Sequence, residues 1–91
     1  MQDDKMKFKL SDMLAVRKIE NEIFVFNRQD SRIHCFNDTG AFLWECVKKT
    51  NDSTKIIQFL LDAYEIDNVK AENDTIAFLE QLRDVGLVEI I

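Results

Sequence analysis

The hydrophobic pattern of this chain changes period once, near Asn37, and that change dictates what it can fold into. Before Asn37, "LAVRKI", "EIFVFN" and "RIHCF" are short β-branched or aromatic runs separated by polar "EN" and "RQDS", the pattern of a small antiparallel meander. Three strands are predicted, Leu14 to Ile19, Glu22 to Asn27 and Arg32 to Phe36. The middle one carries Ile23 and Val25 on one face and Phe24 and Phe26 on the other, so it reads as central. The third strand is then a free edge.

After Asn37 the spacing is helical. Phe42, Leu43, Cys46 and Val47 form one apolar stripe on a first helix from about Thr39 to Lys49. Asp52 and Ser53 are cap-type residues before a second helix carrying Ile56, Ile57, Phe59, Leu60, Ala63 and Tyr64. A third starts near Asp67 or Asn68, turns Thr75, Phe78, Leu79 and Leu82 inward, and ends at Gly86, a residue suited to a left-handed cap. The tail "LVEII" is extended and either pairs with the sheet or frays. The expected fold is α+β and winged helix-turn-helix-like: a three-stranded antiparallel sheet followed by three α-helices. With 91 residues the chain has material for one core, so residues 1–91 read as a single domain, with 1–12 as a flexible start.

A winged helix suggests DNA, and charge argues against it. Between Lys70 and Val85 the acidic residues are Glu72, Asp74, Glu80 and Asp84, against Lys70 and Arg83. Each phosphate contact needs a cation, so a helix with this balance is pushed away from a DNA groove, as is a chain of net charge −5. No apolar run is long enough to span a bilayer and the start lacks a signal-peptide core, so no membrane association and a cytoplasmic location are expected.

Reactive chemistry is equally thin. Cys35 and Cys46 have no CxxC spacing and stand with a single histidine, too few ligands for a structural metal site, so both read as reduced, half-buried packing residues. His34 has no nucleophile or carboxylate pattern around it, and the acids show no spacing suited to general acid and base work. Trp44, beside Phe42 and Leu43, reads as a partly buried core residue. No catalytic residue, metal or cofactor is predicted.

The segments "CFNDTGAFLWECV", "FLLDAYEID" and "NDTIAFLEQLRDVGLVE" together resemble the PqqD-like family, also called RiPP recognition elements. The likeness rests on Asn37, Thr39, Gly40, Ala41, Trp44, Glu45, Tyr64, Asp74, Phe78, Leu79, Leu82, Gly86 and Leu87, and spans about Leu14 to Glu89. Four positions depart from it: Phe36 replaces the usual Leu, His34 stands where an aromatic is common, "KKTND" lacks the usual Gly, and Thr75 occupies a position where Val or Ile is common.

The resemblance implies a non-catalytic adaptor. Its partners would be the leader of a ribosomally made precursor peptide and a separate maturation enzyme, such as a radical S-adenosylmethionine enzyme or a lasso-peptide leader peptidase. It also implies that the leader adds as a further antiparallel strand to the third strand and lays side chains beside the third helix. An edge strand exposes unpaired N–H and C=O groups, and strand addition draws affinity from them. The expected leader-binding residues are Arg32, Ile33, His34, Cys35 and Phe36 on the strand, with Ile76, Leu79, Glu80 and Arg83 on the helix. Of the N–H groups of Ile33 and Cys35, one is expected to point outward. Arg83 is read either as a carboxylate clamp or as the surface partner of Glu80 at i, i+3. The alternatives are a winged-helix transcriptional regulator, another protein-protein interaction module, and a redox protein using the two cysteines. The residues do not fix an oligomeric state.

Overall fold

The strand order follows from two short turns that use the left-handed backbone region. A computed structural model describes residues 6–91. In chain order the elements are β1 Phe8–Leu10, β2 Leu14–Ile19, β3 Glu22–Asn27, β4 Arg32–Phe36, α1 Asp38–Lys49, α2 Ser53–Ala63, α3 Asn68–Asp84 and β5 Val88–Ile90. Glu20, at φ 56°, turns the chain between β2 and β3. Between β3 and β4, Asn27 organises the turn. Its carbonyl accepts from Ser31 N–H (2.8 Å) and its side-chain oxygen from Gln29 N–H (3.0 Å), while Asp30 accepts from Arg32 N–H (3.1 Å).

The resulting sheet has the order β2-β3-β4, all antiparallel, so β3 is central and β4 is an edge as the pattern predicts. Ile23, Val25 and Asn27 of β3 are buried against the helices, and Phe24 and Phe26 are half-buried on the opposite face. The inner face of β4 carries Phe36, whose ring lies nearly parallel to that of Trp44 at 5.4 Å and edge-on to Phe78 at 5.5 Å. One side chain thus joins the edge strand to α1 and α3. Trp44, at 1% exposure, is more deeply buried than the sequence suggests.

The helices begin and end where cap chemistry places them. Asp52 accepts from Thr54 N–H (2.9 Å) to open α2, and Asp67 accepts from Lys70 N–H (2.8 Å) to open α3. At the far end of α3, Leu87 N–H reaches the Leu82 carbonyl (2.8 Å) and Gly86 N–H that of Arg83 (3.0 Å), with Gly86 at φ 82°. This paired arrangement satisfies carbonyls the helix would leave bare, and it needs a residue that tolerates positive φ. At the start of α1 the chain leaves β4 through Asp38 at φ 52°, a conformation that aspartate adopts more readily than most residues.

The tail and the start of the chain differ from expectation together. Instead of joining the main sheet, Val88–Ile90 pairs with Phe8–Leu10 in a separate two-stranded sheet. Met6 exchanges two bonds with Ser53, its N–H to the hydroxyl (2.8 Å) and its carbonyl from the Ser53 N–H (2.9 Å), and Phe8 N–H reaches the Asn51 carbonyl (3.1 Å). Phe8 is buried in the core. The flexible start expected for residues 1–12 therefore does not hold from Met6 onward, and the part of it before Met6 lies outside the described residues. Alternation was too short over "FKL" to mark a strand, and its partner is 80 residues away in the chain.

Two stability measurements check this packing. Phe8→Ala should lower the unfolding free energy by about 3 to 5 kcal/mol in urea titration, because a buried ring is lost; a loss near zero would mean that the start of the chain is not packed. Thr75 buries a hydroxyl that has no hydrogen-bond partner, so the near-isosteric Thr75→Val should raise stability by about 1 kcal/mol.

Candidate functional site

One hydrogen bond and the alternation of an antiparallel ladder decide which groups of β4 face outward. Arg28 N–H donates to the Met13 carbonyl (2.8 Å), one step beyond the Leu14 and Asn27 pair, so even-numbered residues of β3 direct their backbone groups to β2 and odd-numbered ones to β4. Ile23, Val25 and Asn27 are opposite Phe36, His34 and Arg32. The backbone groups of those three β4 residues are therefore turned toward β3, with the Arg32 N–H donating to the Asp30 carboxylate at the turn, and the N–H and C=O groups of Ile33 and Cys35 face the free edge. The expectation that only one of the two points outward is corrected here: residues two apart in a strand share a direction.

Side chains alternate the other way. Ile33, 67% exposed, and Cys35, also exposed, lie on the outer face with Phe24 and Phe26. Arg32, His34 and Phe36 lie on the inner face, running from exposed through half-buried to buried. His34 keeps Nε2 out of solvent without a hydrogen-bond partner. Among the described residues no carboxylate forms an ion pair with the Arg32 guanidinium, since the pairs found are those of Lys7, Lys18, Lys70 and Arg83.

Helix α3 borders this edge. Arg83 and Arg32 line one hollow of about 410 Å³, closed on one side by the Asn27 to Arg32 turn and on the other by the end of α3 through Gly86. The hollow brings Arg83 to the β4 side of the helix, and Ile76 and Glu80 follow it along the same stripe at helical spacing. Ile76 is half-buried and Glu80 exposed. Leu79 is not available to a ligand: it is 0% exposed, part of the core stripe rather than the groove. Arg83 bonds Asp84 at 3.2 Å and not Glu80, so the i, i+3 pair is not formed. Gln29, Asp30 and Asp84 also line the hollow and were not anticipated. Nothing in the local pattern marks them, because a turn and a helix end about 50 residues apart meet only in the fold.

The cysteines differ from each other. Cys35 is exposed, contrary to the half-buried expectation, because the outer face of β4 is uncovered. Cys46 is buried within α1, and burial pushes its thiol above the ordinary range, a rise that nearby Glu45 reinforces and Lys49 opposes. A thiol held in its neutral form is a poor nucleophile. Among the described residues no three His, Cys, Asp or Glu side chains cluster in a way that could hold a metal ion, and no helix is long and apolar enough to cross a membrane.

The fold is shared with two solved structures. It is similar to TbiB1 in complex with the TbiA(beta) leader peptide, at a TM-score of 0.84 and 22% identity over 89% of this chain and 94% of that one. It is also similar to lasso peptide synthetase B1 complexed with the leader peptide, at 0.81 and 22% identity over 91% and 98%. Among curated proteins no match is found. Residues 22–88, from the first residue of β3 to the first of β5, match the family described as Coenzyme PQQ synthesis protein D, PqqD, and the chain belongs to that family.

Proposed function

We propose that the chain is a non-catalytic adaptor that binds the leader of a ribosomally synthesised precursor peptide by strand addition to β4 and delivers it to a separate modifying enzyme. The observation that carries this reading is the free edge of β4, where the backbone groups of Ile33 and Cys35 face outward beside a hollow walled by α3. Strand addition supplies main-chain bonds at such an edge, and the bordering helix supplies side-chain selection. Family membership and two similar folds that were each solved with a leader peptide support it. The other edge, β2, carries Lys18 within 3.9 Å of Glu45, a charge of the kind that guards an edge.

No chemistry is required of the adaptor. Holding the leader tethers the core of the precursor at roughly millimolar local concentration near the partner's active site. The acidic residues of α3 and the net charge of −5 disfavour the DNA-binding alternative.

The docking edge is tested by titration calorimetry with synthetic peptides spanning the leader of a candidate precursor. Ile33→Pro and Cys35→Pro should each weaken binding by about tenfold or more, since each removes one outward N–H, while Val16→Pro on the edge of β2 should leave affinity unchanged. Equal affinities for all three variants, with the fold intact by circular dichroism, would place the leader elsewhere. The redox alternative is tested by the pair Cys35→Ser and Cys46→Ala. The adaptor reading expects full activity in a reconstituted maturation assay, and lost maturation by a folded, leader-binding variant would favour thiol chemistry.

A further inference from the structure

The inner face of β4 presents a graded series of side chains, and that series specifies a ligand. Phe36 is buried on Trp44 and Phe78, His34 is half-buried with its Nε2 unpartnered, and Arg32 is exposed with its guanidinium in no ion pair among the described residues. Apolar contact, hydrogen bonding and positive charge thus follow one another along a single strand at alternate positions.

The ladder geometry makes these three positions the selective ones. Because Ile33 and Cys35 carry the outward backbone groups, a strand added antiparallel to β4 forms its hydrogen-bonded pairs with those two residues. Arg32, His34 and Phe36 then fall at the non-hydrogen-bonded pairs, where facing Cα atoms approach to about 4.5 Å and side chains lie closest. Opposed residues share a face, so the added strand's neighbours to these three also point inward toward α3. Its residues opposite Ile33 and Cys35 point to the outer face and read little beyond shape.

Resting on the proposed leader docking, we infer that this chain selects leaders carrying, in order and at alternate positions, an apolar residue, a hydrogen-bonding residue and an acidic residue. The antiparallel direction sets the order. The apolar residue comes first, opposite Phe36; two positions later a hydroxyl or amide side chain faces His34; two positions after that a carboxylate faces Arg32. Each choice answers a physical deficit in the free protein. A buried ring nitrogen without a partner carries a desolvation penalty, and a hydroxyl or amide can satisfy it in either tautomer because such groups both donate and accept. The Arg32 guanidinium offers a planar fork that a carboxylate can engage through two bonds, whereas Arg83 across the hollow is already held by Asp84. A chain of net charge −5 can still hold an acidic ligand here, because surface charges more than about 10 Å away are largely screened at physiological salt. Of the two acids lining the hollow, Asp84 is paired with Arg83 and Asp30 accepts from the Arg32 backbone N–H, which leaves the Arg32 guanidinium unpaired.

A display library of short random peptides, selected on the purified chain and counter-selected on Cys35→Pro, tests this. The expected result is enrichment of apolar-x-polar-x-acidic peptides. In a chosen binder, acid→Lys should weaken affinity about tenfold, Arg32→Glu should restore much of the loss, and His34→Phe should abolish the preference at the central position alone. Edge-dependent binders without this series, or with it in reverse order, would overturn the inference while leaving edge docking intact. A library with no edge-dependent binders would overturn both.

Discussion

Phe36 is the contact on which the arrangement of this protein depends. It is the last residue of an edge strand, a position that ordinarily frays, yet its ring is stacked on Trp44 and set edge-on against Phe78. Ring pairs of this kind contribute about 0.5 to 1.5 kcal/mol each beyond the area they bury. The other end of β4 is held by the Asn27 turn, and Asn27 lies against Gly86 at the end of α3, 3.7 Å from where a Cβ would project. With both ends fastened to α3, the strand between them holds its outward N–H and C=O groups in place without a partner strand. Such preorganisation lowers the ordering cost of binding an extended peptide.

The same fastening explains why a domain this small needs its start and its tail. A three-stranded sheet covers the helices on one side only, and Leu87 and Val88, buried at the exit of α3, would otherwise face water. The strand Phe8–Leu10 closes that flank by pairing with Val88–Ile90 and by tying Met6 to Ser53 at the start of α2. Chains near this size bury a limited share of their surface, so a buried Phe8 is a large fraction of what stabilises the fold.

Several sequence expectations failed where distance along the chain mattered. The alternation of "EIFVFN" showed a central strand, and Asp52, Asp67 and Gly86 marked helix ends, because each signal acts within a few residues. Leu79 was assigned to the ligand groove as well as to the core stripe, and burial removes it from the groove. Arg83 prefers the adjacent Asp84 to Glu80, a choice between two neighbours that spacing could not rank. Cys35 is exposed because nothing covers the outer face of β4, a fact about the whole sheet. Period-two alternation alone puts Ile33 and Cys35 on one face of β4 and Arg32, His34 and Phe36 on the other, the division the burial of the strand shows.

By itself the sequence determined the three strands of the main sheet and the three helices, their order, the central strand, the edge and the acidic character of α3, since these follow from local periodicity, cap chemistry and charge. Tertiary structure decided the rest: the pairing of β1 with β5, the direction of the outward N–H groups, and the meeting of Arg32 with Arg83. Those depend on register and packing between segments far apart in the chain, and no local pattern records which distant segment a given surface will meet.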